Sequence, residues 1–212
     1  MATIGLYGVY FSKATLTNGV VSAYTGVKTM GKAINFDFSP ADIDANPLYA
    51  NNGIAENDGV GANVGDLSLT LDRLTADAYT DLFGLASSTV TVTVGESSVN
   101  GTAYKQSGSE RSNVVGVAVI RWNQLDDSRS YHEVVILGAC KLKQPTDSAQ
   151  TLGETVEWQT PELSGVVYGP SVCGEIPWKQ NATFPTQAAA IQYIQDVFAA
   201  PVSAGTGNSE QQ

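Results

Sequence analysis

Apolar and polar residues alternate with a period of two in several stretches of this chain. Ile34, Phe36 and Phe38 alternate with Asn35, Asp37 and Ser39; Leu67, Leu69 and Leu71 alternate with Ser68, Thr70 and Asp72. Val90, Val92 and Val94 repeat the pattern, as do Val156 and Trp158 within 154–160. On a pleated strand this period puts successive side chains on opposite faces, so each stretch predicts a strand that buries one face and offers the other to water or a partner. Val114 to Trp122 and Glu133 to Leu142 are apolar on both faces in places, which predicts central strands, and Gly165 to Tyr168 adds a short one. Asn18-Gly19 lies between the β-prone runs Gly8 to Thr17 and Val20 to Thr25. Both residues tolerate the positive φ of a tight type I′ turn, so a hairpin is expected there. Asn100-Gly101 repeats the signal inside 86–111, a Ser/Thr/Val/Gly-rich stretch that reads as a strand and an exposed hairpin or loop.

The period shifts toward 3.6 in two places. Thr75 stands as N-cap before Ala76, Asp77 and Ala78, and Ala78, Leu82 and Leu85 form an apolar stripe with Tyr79 and Phe83 alongside. A helix over about 75–85 is expected, stopped at Gly84 and packed on a sheet. Thr186, after Pro185, caps a second helix over about 186–198, with Ala190, Ile191, Ile194, Val197 and Phe198 to one side; Pro201 ends it and 201–212 reads as a flexible tail. Strands, a long loop, a strand, a helix, more strands and a terminal helix make a mainly β chain. The expected fold is one domain over 1–200, an antiparallel β-sandwich or barrel with a flanking helix and a C-terminal helix.

Between the first alternating pair lies 41–65, rich in Asn, Asp, Gly and Ala and without a clear period. It reads as a long inter-strand loop, and loops of that length inside a compact domain are generally functional or disordered. From Asp37 to Asp72 the chain has acids and no Lys or Arg, which is the pattern of a solvated loop or of a surface kept negative on purpose.

Charge sharpens the picture. With 11 Lys+Arg against 21 Asp+Glu the formal net charge is −10, which disfavours a DNA-gripping role without excluding a surface that repels DNA. Charged residues make up 15% of the chain against 42% hydrophobic. A disordered acidic chain would be poorer in apolar residues, so the expectation is a folded protein whose neutral surface suits subunit contacts. The longest strongly apolar uncharged run, Val114 to Ile120, is too short to span a membrane, and the Met-Ala-Thr-Ile-Gly start lacks the pattern of a secretory signal. Cys140 and Cys173 are far apart in sequence and read as buried reduced thiols.

Catalytic and metal-binding patterns are largely missing. The single histidine, His132, reads as a turn or strand-edge residue, and no nucleophile elbow, HExxH or phosphate loop accompanies it. Asp42-Ile43-Asp44 and Asp126-Asp127 lack the ligand spacing of a calcium loop and read as solvated turns. An acid pair such as Asp126 and Glu133 only weakly motivates an enzyme. Trp122, Trp158 and Trp178 are candidates for a sugar-binding face, though aromatics at strand positions more commonly belong to the core. No cofactor and no enzymatic activity are expected.

Several segments, in this order, resemble the major tail protein of long non-contractile-tailed bacteriophages, in particular those of Gram-positive hosts. They are Gly5-Leu6-Tyr7-Gly8-Val9-Tyr10-Phe11, Ser39-Pro40-Ala41-Asp42, Leu69-Thr70-Leu71-Asp72-Arg73-Leu74 with Leu82-Phe83-Gly84, Val156-Glu157-Trp158-Gln159-Thr160-Pro161, and the helix opened by Phe184-Pro185-Thr186. The resemblance implies a β-sandwich subunit that forms hexameric rings stacked into a tail tube, a virion structure assembled in the bacterial cytoplasm. The tube encloses the tape measure protein, is bounded by tail terminator and distal tail proteins, and conducts DNA on ejection. The same resemblance makes 41–65 the loop that reaches a neighbouring ring, with Asp42, Asp44, Pro47, Tyr49, Asn51, Glu56 and Asp58 as its candidate residues. Asp37, Asp66 and Asp72 are the candidate lumen acids. Duplex DNA carries one charge per about 1.7 Å, so a like-charged wall leaves a smooth path where scattered attractions would stall it. The inner tube of a contractile tail or related injection system shares this architecture, and a monomeric β-sandwich carbohydrate-binding module is a more distant alternative.

Overall fold

The computed structural model describes residues 2–41, 46–50, 53–58, 63–124, 130–147, 149, 151 and 158–199. The long strand β1 (Ala2–Thr17) turns at Asn18-Gly19, whose φ values of 53° and 83° are those the Asn-Gly signal anticipates, into β2 (Val20–Tyr24). Then come β3 (Lys28–Gly31), β4 (Ala33–Pro40), β5 (Asn46–Ala50), β6 (Gly53–Asp58) and β7 (Asn63–Leu71). Helix α1 (Ala76–Asp81) leads to β8 (Ala86–Val94) and β9 (Ser97–Lys105). Strands β10 (Val114–Gln124), β11 (Ser130–Leu142) and β12 (Glu162–Tyr168) are followed by the one-turn α2 (Pro170–Cys173), β13 (Lys179–Phe184) and α3 (Gln187–Ala199).

The principal sheet is antiparallel throughout, in the order β2-β1-β10-β11-β12-β7-β4, with β3 on β1 and β13 on β11. β11 is long enough to serve two neighbours on one edge, β12 at Cys140–Leu142 and β13 at His132–Leu137. Lys32 alone separates β3, paired with β1, from β4, paired with β7, so the sheet returns on itself. Inside this wrap lie Phe11, Met30, Leu67, Leu69, Leu71, Val117 and Leu163, all fully buried, and Leu82 of the segment after α1 joins them. On the opposite face, Ala118, Ile120, Val134 and Ile136 are covered by Ala190, Ile194 and Phe198, one stripe of α3. That double covering is the reason β10 and β11 read as apolar on both faces. Thr186 caps α3 as its sequence implies, accepting from Ala189 N–H at 3.3 Å.

Several expectations change at particular residues. Ile34 does not share the inner side with Phe36 and Phe38: a register shift between Ala33 and Asn35 turns it outward, 55% exposed. The second hairpin turn falls at Gly95-Glu96, where Gly95 has φ 62°, and Gly101 pairs with Val90 inside β9. The segment 41–65, read as a loop, contains the hairpin β5–β6 and the start of β7. α1 ends at Asp81, short of the expected 85, because Asn113 captures the next carbonyls: its Nδ2 donates to Asp81 O and its backbone N–H to Leu82 O, both at 2.8 Å. Thr75 makes no side-chain cap; its hydroxyl donates instead to Thr29 O at 2.9 Å, tying α1 to β3. Of the strand expected over 154–160, residues 152–157 lie outside the described residues and 158–160 are not strand. α2 and β13 are elements beyond those the sequence pattern predicts.

Between β9 and β10 a tight turn is held by one carboxylate. Glu110 accepts from the Ser107 hydroxyl at 2.6 Å, Ser107 N–H at 2.7 Å and Gly108 N–H at 2.8 Å. The Ser107 hydroxyl foremost, then the backbone donors, lowers its pKa from the ordinary 4.5 to about 2. A depressed acid stabilises the fold above the ordinary value and loses that contribution as pH falls through about 2. A carbon-13 titration should therefore place the Glu110 midpoint near 2, with the Ser107 and Gly108 amides shifting in step; a midpoint near 4.5 refutes the bonded turn.

Candidate functional site

The strands β4, β7 and β12 lie side by side, and their alternation sorts each into an inner and an outer set. Inward, Phe36 stands opposite Leu69 and Leu69 opposite Leu163, building the core. Outward, three cross-strand rows form: Asn35, Thr70 and Glu162; Asp37, Ser68 and Ser164; Ser39, Asp66 and Val166. Neighbouring strands sit about 4.8 Å apart, so these side chains form one continuous surface of carboxylates and hydroxyls. Ser68 Oγ donates diagonally to Glu162 Oε1 at 3.5 Å. The surface dips into an open depression of about 260 Å³ whose lining includes Asp37, Ser39, Asp66, Ser68 and Glu162 together with Lys143. Lys141, opposite Val166, and Lys143 mark the border toward β11.

This arrangement collects hydrogen-bond acceptors and negative charge on three adjacent strands. Among the described residues no three metal-ligating side chains converge. Its chemistry is that of a hydrated wall that weakly disfavours anions.

Of the candidate lumen acids, Asp37 and Asp66 share this face, whereas Asp72 is elsewhere with a bonded task. Its Oδ1 accepts from Lys32 N–H and Arg73 N–H, both at 2.8 Å, and so pins the one-residue junction between β3 and β4. Glu162 was missed. Its signal is the alternation of Leu163 and Val167 with Glu162, Ser164 and Val166, which extends β12 three residues ahead of the strand expected from Gly165. Of the candidate inter-ring residues, Pro47 and Tyr49 fall in β5 and Glu56 and Asp58 in β6, with Leu48 opposite Glu56 and Asn46 opposite Asp58. Asp42, Asp44 and Asn51 lie outside the described residues, as do Asp126 and Asp127.

Other chemistry-bearing side chains serve the fold. His132 is not at a strand edge: it pairs with Trp122 on one side and Phe184 on the other, is buried, and lies 5.0 Å from the Tyr7 ring. The strand β13 supplies the second neighbour. Glu133 accepts from Asn123 Nδ2 at 2.9 Å and Asn181 Nδ2 at 3.0 Å. Both cysteines are free and buried; burial pushes the Cys173 thiol up to about 11 and raises Cys140 as well, so both stay protonated and poorly nucleophilic at neutral pH. The three tryptophans do not form one platform. Trp178 packs near Phe38 at 6.2 Å and Trp122 near Tyr7 at 6.1 Å, while Trp158, expected with the core, is 84% exposed. No described helix is long and apolar enough to cross a membrane. Comparison with protein-family models and with curated proteins finds no match to this chain.

Proposed function

We propose that this chain is the structural subunit of a bacteriophage tail tube, forming hexameric rings that stack around a channel through which DNA passes. The observation that carries the reading is the outer face of β4, β7 and β12, where Asp37, Asp66 and Glu162 stand among Ser39, Ser68, Thr70 and Ser164. A channel wall for a polyanion needs net negative charge and full hydration, and this face sets three acids among hydroxyls on rigid strands, with Lys141 and Lys143 along its border. The resemblance of the segments quoted above to tail-tube proteins gives the reading its assembly, with the hairpin β5–β6 at the place of the ring-bridging element. The tape measure protein is then the resident of the lumen during assembly, and terminator and distal tail proteins close the ends. The inner tube of a contractile system fits the same face.

Concentrated purified protein, viewed by negative-stain microscopy, should show hollow tubes or six-membered rings. Protein that stays monomeric at high concentration and binds a glycan tightly would overturn the reading in favour of a carbohydrate-binding module. The exposed Trp158 is the observation that keeps that second reading in view.

A further inference from the structure

Strands β8 and β9 form a two-stranded sheet of their own, and its two faces differ in kind. One carries Val90, Val92 and Val94 with Val99, at 39%, 54%, 68% and 58% exposure. The other is a hydroxyl ladder, in which Thr91 Oγ1 donates to Asn100 Oδ1 at 2.7 Å and Thr93 meets Ser98 at 3.5 Å. At its base Tyr104 stacks on Tyr79 of α1 with ring centroids 5.0 Å apart. A lone two-stranded ribbon is marginal in water, and a valine face along its length adds an apolar surface that hydration disfavours.

We infer that this valine face docks on a second copy of the chain, in a head-to-tail contact whose receiving surface includes Ile4 and Ile34. The inference deepens the tube-forming reading and rests on it for the order of assembly. Charge bears on the occupant: from Leu82 to Tyr104 the only charged residue is Glu96 at the turn, so two copies of net charge −10 can meet here without bringing like charges into the contact. The valine face holds no Arg, Trp or Tyr that would anchor it in lipid headgroups or on a polyanion. The body supplies matching aliphatics: Ile4 and Ile34, 46% and 55% exposed, sit where register shifts in β1 and β4 turn them outward. Area sets the geometry. Nine residues at about 3.3 Å by two strands give a face of roughly 300 Å², well short of the roughly 800 Å² per partner of a stable pair. The ribbon is therefore one part of a larger contact, and because the valine face and the surface with Ile4 and Ile34 are different patches of the chain, that contact is head-to-tail and propagates or closes into a ring.

The test uses the full chain with V92E/V94E, with I34E, and with V92T/V94T, which keeps strand propensity. Sedimentation velocity measures association and near-ultraviolet circular dichroism checks the fold. Each Glu variant alone should associate at least 100-fold more weakly than the native chain, V92T/V94T about 10-fold, and the two Glu variants mixed should stop at a one-to-one pair. Undiminished association of V92E/V94E or I34E, a native chain monomeric at about 1 mM, or binding to phosphatidylcholine vesicles that V92E/V94E abolishes would overturn the inference. Normal tubes from V92E/V94E would remove this contact and leave the tube reading intact. Valine-dependent association without hollow particles would do the reverse.

Discussion

Phe198→Ala should destabilise the protein by about 3–5 kcal/mol, the range for truncating a fully buried phenylalanine. Phe198 is the last residue of the α3 stripe, 1% exposed, with Tyr24 edge-on at 4.8 Å. It fills the space over Gly116, where a Cβ would run into the Phe198 ring and lie 3.0 Å from Tyr24. Gly116→Ala should therefore cost about 1–3 kcal/mol through overpacking, and that cost should largely vanish in the Phe198→Ala background, where the methyl group fills part of the cavity. For a chain of this size the Phe198 truncation corresponds to a fall in Tm of about 6–20 °C. Calorimetry of the four chains of this cycle measures the coupling; additive losses, or a Phe198→Ala effect below about 1 kcal/mol, would refute the packing of α3 on β10 as the source.

Reversing the acids of the outer face should raise the protein's affinity for duplex DNA. In D37K/D66K/E162K the three new lysines join Lys141 and Lys143 on one surface. With five phosphates neutralised, log K should fall with log salt at a slope of about −4.5, from about −0.9 per contact. Fluorescence anisotropy with a labelled duplex across a salt series reads the slope directly. The substituted positions are on the outer side of their strands, so the thermal transition should move little. No gain in binding at low salt would mean that the three sites do not act as one surface, and the electrostatic wall would lose its basis. On the proposed tube reading, the same substitutions should also slow DNA ejection from assembled tails.

The mainly β class, the antiparallel central strands and the C-terminal helix were legible because each leaves a strong periodic trace. The α3 stripe Ala190, Ile194 and Phe198 repeats every four residues, and Asn18-Gly19 names its own turn. Asp37 and Asp66 could be picked as candidates, but not placed side by side, because the pairing of β4 with β7 is set by contacts about thirty residues apart in sequence. Ile34 shows the limit of alternation: one register shift inverts a side chain while leaving the apolar pattern untouched. Asn100-Gly101 shows another, since Gly95 reached the ribbon turn first and left Asn100 to pair across it with Thr91. Asp72 looked like one more acid of a negative stretch, but its work is local and bonded to backbone, which composition does not reveal.

The partner of β1 is distant in a way that bears on synthesis. Residues Ala2 to Lys13 pair with β10 over Gln124 to Val115, whereas β2 and β3, the other neighbours of β1, follow it at once. A chain leaving the ribosome at about 5–20 residues per second can close the hairpins β1–β2 and β8–β9 early, yet one edge of its first strand stays open until β10 has emerged. During those seconds the nascent chain carries an unpaired strand edge, the feature most prone to wrong pairing. Neighbouring chains on one polysome thus face a race between pairing within a molecule and pairing across molecules, and slowed translation between residues 14 and 115 would tilt it toward aggregation.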